Sequence, residues 1–210
     1  MRKVAVSVLS SEDRKKDILT LSSTDVDYIH VDVMDGKFVV NKDNPFKLFN
    51  KLSSHYKKRL DVHLMVDKPL DFIDDFATLN TEYITIHVEL KEDINKLLDL
   101  INSYGIKCGI AINPDTNIDL IDKYLDRVDQ ILVMSVVPGK GGQAFIDDSI
   151  ERAIKVKKKT LASGRNIAVS MDGGIDDKNA LEVPFLDIIV SGSYVVKSDN
   201  IQNKIDSLRL

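Results

Sequence analysis

The segment YIHVDVMDG, residues 28–36, sets an imidazole and a carboxylate two positions apart inside an otherwise apolar run. Side chains alternate faces along a strand, so His30, Asp32 and Met34 share one face and Ile29, Val31 and Val33 the other. Burying such groups unpartnered costs several kcal/mol, so a hydrogen-bond network or a metal ion must compensate them. Comparable groups recur at the ends of other apolar runs. Ser7 closes the first, His63 lies in LDVHLMV (60–66), His87 in EYITIHV (82–88), and Asp172 just past NIAVSM (166–171). Two histidines and two aspartates at one rim form a mixed nitrogen and oxygen set suited to one divalent ion, Zn²⁺, Mn²⁺, Fe²⁺ or Co²⁺. Asp32 and Asp172, coming from nearly opposite sides, suit removal of a proton from one face of a substrate and delivery to the other. A metal ion at the substrate oxygens would stabilise the enediolate between those steps.

Glycines mark where a phosphate would sit: VPGKGGQAF (137–145), DGG (172–174) and SGS (191–193) each follow an apolar run. Glycine lets backbone N–H groups come close to an anion, and loops at one end of a barrel often bind phosphate this way. Met34, Met65 and Met134 end strands beside the polar groups and would supply a polarizable lining that excludes water.

Elements must bring these residues together. Apolar, β-rich runs occur at 3–9, 27–33, 60–66, 82–88, 107–112, 129–136, 166–171 and 186–190, with amphipathic stretches such as PLDFIDDFATLN and EDINKLLDLINSYG between most of them. Strand-helix-strand units demand parallel pairing with right-handed crossovers, and near-continuous apolar strands indicate burial on both faces. Eight such units predict an α/β fold: one compact (β/α)₈ TIM barrel of eight parallel strands with outer helices, spanning 1–210 as a single catalytic domain. An open doubly wound sheet would call for a glycine fingerprint after the first strand, where the chain reads SVLSSEDRKK.

Composition bounds the partners. The 43% hydrophobic and 30% charged content is that of a soluble globular protein, and a net charge of −4 with mixed signs gives no basic stripe for nucleic acid or anionic membrane. The lysine-rich run at 152–165 has apolar residues at helical spacing and reads as a solvated helix face. Cys108 is the one cysteine, which excludes an internal disulfide and a Cys-based zinc cluster; in KCGIAI it reads as a small core residue. With no leader-like opening and no apolar run of membrane-spanning length, a cytoplasmic location is expected.

IHVDVMDGKFV, LDVHLMV, PGKGGQ with a following Phe145, DGGI and SGS, in this order, resemble the signature segments of the ribulose-phosphate 3-epimerase family. The resemblance covers essentially the whole chain. It implies a metal-dependent (β/α)₈ barrel that inverts carbon 3 of D-ribulose 5-phosphate to give D-xylulose 5-phosphate, a pentose phosphate pathway isomerisation, in a homo-oligomeric enzyme. Carried over by residue, it implies His30, Asp32, His63 and Asp172 as metal ligands, Asp32 as proton acceptor and Asp172 as donor. Ser7 and His63 would contact the sugar, and Gly139, Lys140, Gly141, Gly142, Gly173, Gly174, Gly192 and Ser193 the phosphate end. Val137 and Lys140 stand where the family usually has asparagine and an aromatic residue; Lys140 either adds charge to the phosphate or faces solvent. Alternatives are an epimerase for a hexulose 6-phosphate, a phosphosugar lyase or decarboxylase, for which Asp61-Val62-His63 lacks the expected Asp-x-Lys pair, and a non-catalytic phosphate-binding barrel.

Overall fold

The computed structural model describes residues 1–209. Eight parallel strands close on themselves: β1 (Lys3–Ser7), β2 (Tyr28–Asp35), β4 (Arg59–Met65), β5 (Thr81–His87), β6 (Lys107–Ile112), β7 (Gln130–Met134), β8 (Ala168–Asp172) and β9 (Ile188–Ser191), with β9 and β2 both pairing β1. This is the expected TIM barrel. A short strand, β3 (Lys42–Asp43), adds an antiparallel rung on the end of β2, inside a stretch that the sequence left between elements.

Helices cover the outside: α1 (Arg14–Ser22), α2 (Phe46–Leu52), α3 (Leu70–Ala77), α4 (Ile94–Ser103), α5 (Asp148–Ala162), α6 (Asn179–Glu182), α7 (Ser193–Val196) and α8 (Ile201–Leu208). The crossover after β6 carries a 3₁₀ turn, Ile118–Tyr124, in place of an α-helix. Local chemistry sets the ends of α4. Asp93 caps it by accepting from the Asn95 N–H at 3.1 Å, and Gly105, at φ +73°, takes the left-handed turn that stops it. Its buried residues Ile94, Leu97, Leu98 and Ile101 follow the i, i+3, i+4, i+7 stripe and face the barrel. On α5, Ala153, Val156 and Thr160 are buried while Lys155 pairs Glu151 in solvent, as the lysine-rich run led us to expect. Cys108 is fully buried.

Strand side chains form two layers. Outward-facing Val4, Val6, Ile29, Val31, Val62, Leu64, Ile84 and Ile86 pack with the helices in the main core, whereas Ala5, Tyr28, Tyr83, Ala111, Leu132, Ile188 and Val190 fill the barrel axis. Register then decides which polar groups meet. Ser7 lies beside His30, Asp32 beside His63, and Met134 beside Asp172, and Ser7, Met134 and Asp172 are the last residues of their strands. No helix among the described residues is long and apolar enough to cross a membrane.

Candidate active site and metal centre

The alternation of β2 aims His30 and Asp32 into the barrel, and β4 brings His63 alongside. His30 and His63 are fully buried, Asp32 nearly so, and the Asp172 side chain is 15% exposed. Asp32 Oδ1 is 3.6 Å from His30 Nε2 and 3.7 Å from His63 Nδ1, and Asp172 Oδ2 is 3.8 Å from both nitrogens. The two carboxylates therefore straddle the imidazoles. Ser7 Oγ donates to the other Asp32 oxygen, Oδ2, at 2.7 Å, fixing which oxygen faces the centre.

Each histidine is held from behind. His30 Nδ1 meets Asp61 Oδ2 at 2.8 Å, and Asp61 Oδ1 accepts from Gln130 Nε2 at 3.3 Å. His63 Nε2 lies 2.8 Å from His87 Nε2, whose Nδ1 is 3.0 Å from Glu89 Oε2. The remaining ring nitrogens, His30 Nε2 and His63 Nδ1, are buried without a hydrogen-bond partner. Orphaned buried polar atoms are costly, and a cation at their common focus would satisfy both. His30, Asp32, His63 and Asp172 each offer one ligand atom, all within 4.8 Å of one another. The residues present thus fit a small divalent ion with mixed nitrogen and oxygen ligands.

Electrostatics drive the two carboxylates apart. Burial works against the charge of Asp32, but the neighbouring His30 outweighs it and holds Asp32 below the ordinary carboxylate range. Burial also pushes Asp172 up, to about 7, with the Asp32 charge adding to the effect. His30 gains a proton more readily than usual because Asp32 and Asp61 overcome its burial, while burial lowers His63 and takes His87 down to about 4.

Above this floor opens a cavity of about 410 Å³. Ser7, Asp32, Met65, Met134 and Asp172 form its inner end, and Gly139, Lys140, Gly141, Gly142, Gly173, Gly174, Gly192 and Ser193 line the wall beside it. The loop geometry depends on glycine. Gly173 (φ +122°) passes so close to Val136 that a Cβ would stand 2.4 Å from its Cγ2, and Gly174 (φ +64°) lies against the backbone of Phe145 and Gln143. Met34 does not reach this wall; it packs with Val39 and Met65 beneath the loop after β2. His30 and His63 lie behind Asp32 and Asp172 and likewise do not line it. Asp35 points away from the centre and accepts from the N–H groups of Lys37, Phe38 and Asp67, the turn role its phase along the strand indicates.

Sequence reasoning missed several groups here. Ser10, Gln143, Asp176, Tyr194 and Lys197 also line the cavity, but they sit in loops or on a four-residue helix, where no periodicity marks an inward face. Glu89, two residues beyond the noticed His87, gave no signal because it lies past its strand.

The closed parallel barrel, with a His/Asp centre and glycine loops at the C-terminal mouth, defines a TIM-barrel protein built in the manner of an enzyme. Residues 3–196 match the family model described as the ribulose-phosphate 3 epimerase family. Ribulose-phosphate 3-epimerase of Helicobacter pylori strain J99 is 38% identical over 211 residues, covering 99% of this chain and 96% of that protein. The Escherichia coli K12 protein of the same name is 34% identical over 212 residues, covering 98% and 94%. Among solved structures, tryptophan synthase of Mycobacterium tuberculosis superposes with a TM-score of 0.70 at 12% identity, covering 99% of this chain and 91% of that one, a likeness of fold alone. The chain belongs to the ribulose-phosphate 3-epimerase family, and with it to the isomerase class of enzymes.

Proposed function

We propose that this chain is a cytosolic, divalent-metal-dependent ketose-phosphate 3-epimerase that interconverts D-ribulose 5-phosphate and D-xylulose 5-phosphate in the pentose phosphate pathway, working as a homo-oligomer. The carrying observation is the pair Asp32 and Asp172, straddling two bare imidazole nitrogens at the floor of a cavity walled by glycine loops.

Asp32, held ionised, removes the C3 proton; the C–H electron pair moves into the C2–C3 bond and the carbonyl oxygen takes up the charge, giving an enediolate. Asp172, facing Asp32 across the centre, delivers a proton to C3 from the opposite side. In the reverse direction the two exchange roles. Ser7 donates to Asp32 Oδ2 and so fixes the orientation of the carboxylate. His30, Asp32, His63 and Asp172 would hold the metal ion, which supplies positive charge to offset that of the enediolate. Met65 and Met134 keep water from the inner end, and the loops containing Gly139, Gly141, Gly142, Gly173, Gly174, Gly192 and Ser193 receive the phosphate, with Lys140 beside them.

The test follows C3 proton exchange by NMR in deuterated buffer, with D-ribulose 5-phosphate and D-allulose 6-phosphate offered separately, before and after chelation. We expect deuterium to enter the pentulose far faster than the hexulose, and exchange to stop with chelator and return with added Co²⁺. Faster exchange of the hexulose would reassign the substrate. No exchange with either in metal-replete protein would remove the epimerase reading.

A further inference from the structure

The mechanism above uses His63 but assigns nothing to the two groups stacked behind it. His87 is fully buried, its ring lies against that of His63 with centroids 5.0 Å apart, and Glu89 follows at the end of the row. We infer that Glu89 and His87 are positioning residues that fix the tautomer of His63 and so turn the bare lone pair of its Nδ1 toward the His/Asp centre. The consequence for metal affinity rests on reading that centre as a metal site; the tautomer itself does not.

A backbone amide can only donate. The Asn113 N–H points to Glu89 Oε1 at 2.8 Å, and the Thr116 hydroxyl donates to the same oxygen. Burial works against the charge of Glu89, but His87 and these two donors outweigh burial and hold Glu89 below the ordinary carboxylate range, so it sits as a carboxylate whose Oε2 can only accept. His87 Nδ1, 3.0 Å away, must then carry the hydrogen. A neutral imidazole has one N–H, so His87 Nε2 is the acceptor. It faces His63 Nε2 at 2.8 Å, which must donate. That uses the one hydrogen of neutral His63 and leaves its Nδ1 bare, at 3.7 Å from Asp32 and 3.8 Å from Asp172. The opposite tautomer of His63 would reverse every donor along the row and set the His87 Nδ1 lone pair against the Glu89 carboxylate. Arg152 steadies the start of the row by donating from Nη2 to the carbonyls of Asn113, at 2.9 Å, and Thr116, at 2.6 Å. Phe38 packs over the His87 ring, centroids 4.6 Å apart, and helps to close the row from above.

Glu89→Gln is the informative substitution because it keeps the shape and changes one acceptor into a donor. Its amide nitrogen must either face the Asn113 N–H, donor against donor, or face His87 Nδ1 and reverse the row. His87→Leu removes the acceptor for His63, whereas His87→Gln can restore it through a carbonyl oxygen. The chain has four histidines, so ring ¹⁵N resonances of the labelled full-length protein can be assigned by substitution.

Long-range ¹H–¹⁵N spectra are recorded with Zn²⁺ bound and after chelation, and Co²⁺ affinity is measured by competition with a chelating dye. In the chelated protein we expect hydrogen on His63 Nε2 and a bare Nδ1, and in Glu89→Gln a reversal or mixture. Co²⁺ affinity should fall about 10–100-fold in Glu89→Gln and His87→Leu and recover to within a few-fold in His87→Gln. Should Glu89→Gln not fold, the contrast between the two His87 variants decides the matter. A His63 hydrogen found on Nδ1 in the wild type, or Co²⁺ affinity unmoved in both Glu89→Gln and His87→Leu, would overturn the inference. Hydrogen on Nε2 in a wild type that takes up no Co²⁺ would uphold the tautomer and reject the metal reading, so the two failures are distinguishable.

Discussion

Two carboxylates of the same chemical type take different states at this centre because their neighbours differ. Asp32 lies nearest the His30 imidazole and receives the Ser7 hydroxyl; Asp172 has burial against it and a second carboxylate beside it. Replacing either by asparagine keeps its volume and removes the carboxylate that the proposed mechanism uses as a proton carrier. Asp32→Asn and Asp172→Asn should each lower turnover about 10²–10⁴-fold, read by steady-state kinetics, with the thermal midpoint holding within a few degrees. Cys108 offers a separate residue-scale test. Burial pushes its thiol up to about 12, whereas an unfolded cysteine titrates near 8.5. As pH rises through about 8.5, the unfolded state loses the thiol proton first, so the contribution to native stability falls, by at most about 1.4 kcal/mol per pH unit, until the folded value is reached. Urea unfolding from pH 8 to 10 should show a shallower alkaline decline in Cys108→Ala than in the wild type, and thiol reagents should leave the native protein unmodified.

At the scale of elements, the strands present the chemistry and the loops shape the cavity. The loops after β2 and β7 meet over the mouth, where Asn41 Nδ2 donates to the Gly139 carbonyl at 2.8 Å and Val39 fills the space a Gly139 side chain would need. The β8 loop is equally tight. A Cβ at Gly174 would stand 2.7 Å from the Phe145 amide nitrogen and 2.9 Å from the Gln143 carbonyl, backbone atoms that cannot rotate aside. Gly174→Ala should cost about 1–2 kcal/mol of stability through its left-handed backbone alone. By displacing the neighbouring glycine loop it should also raise KM for the phosphorylated substrate tenfold or more, with a smaller change in kcat. An unchanged KM would separate the β8 loop from the phosphate.

The whole molecule depends on closure, since a barrel has to join its last unit to its first. Arg2, 5% exposed, makes much of that joint. Its Nε and Nη2 donate to the Leu208 carbonyl at 3.1 and 2.6 Å, and Nη1 donates to the Ala180 and Val183 carbonyls at 2.8 and 3.0 Å, tying the start of β1 to α6 and α8. A lysine has a compact charge without the planar fork and cannot reach all three carbonyls. Arg2→Lys should therefore lower stability by about 2–4 kcal/mol, a fall in the thermal midpoint of roughly 5–15 °C by calorimetry, while leaving the distant active-site mouth intact.

The sequence by itself determined the eight-strand alternation, the inward face of β2 and the polar groups closing apolar runs, because a period of two and rare polar residues in apolar runs are local facts, whereas the choice of His30 and His63 over His87 came from the family resemblance. His30, Asp32 and His63 are legible in that way. The tertiary structure decided what depends on which strands adjoin and how far each is offset. It set Asp61 behind His30 and His87 with Glu89 behind His63, brought Ser7 onto Asp32, and drew Met34 away from the cavity wall. Asp61 and His30 are 31 residues apart, and Arg2 and Leu208 are 206 apart. Separations of that size lie beyond any local pattern, and only the closing of the barrel makes such groups neighbours.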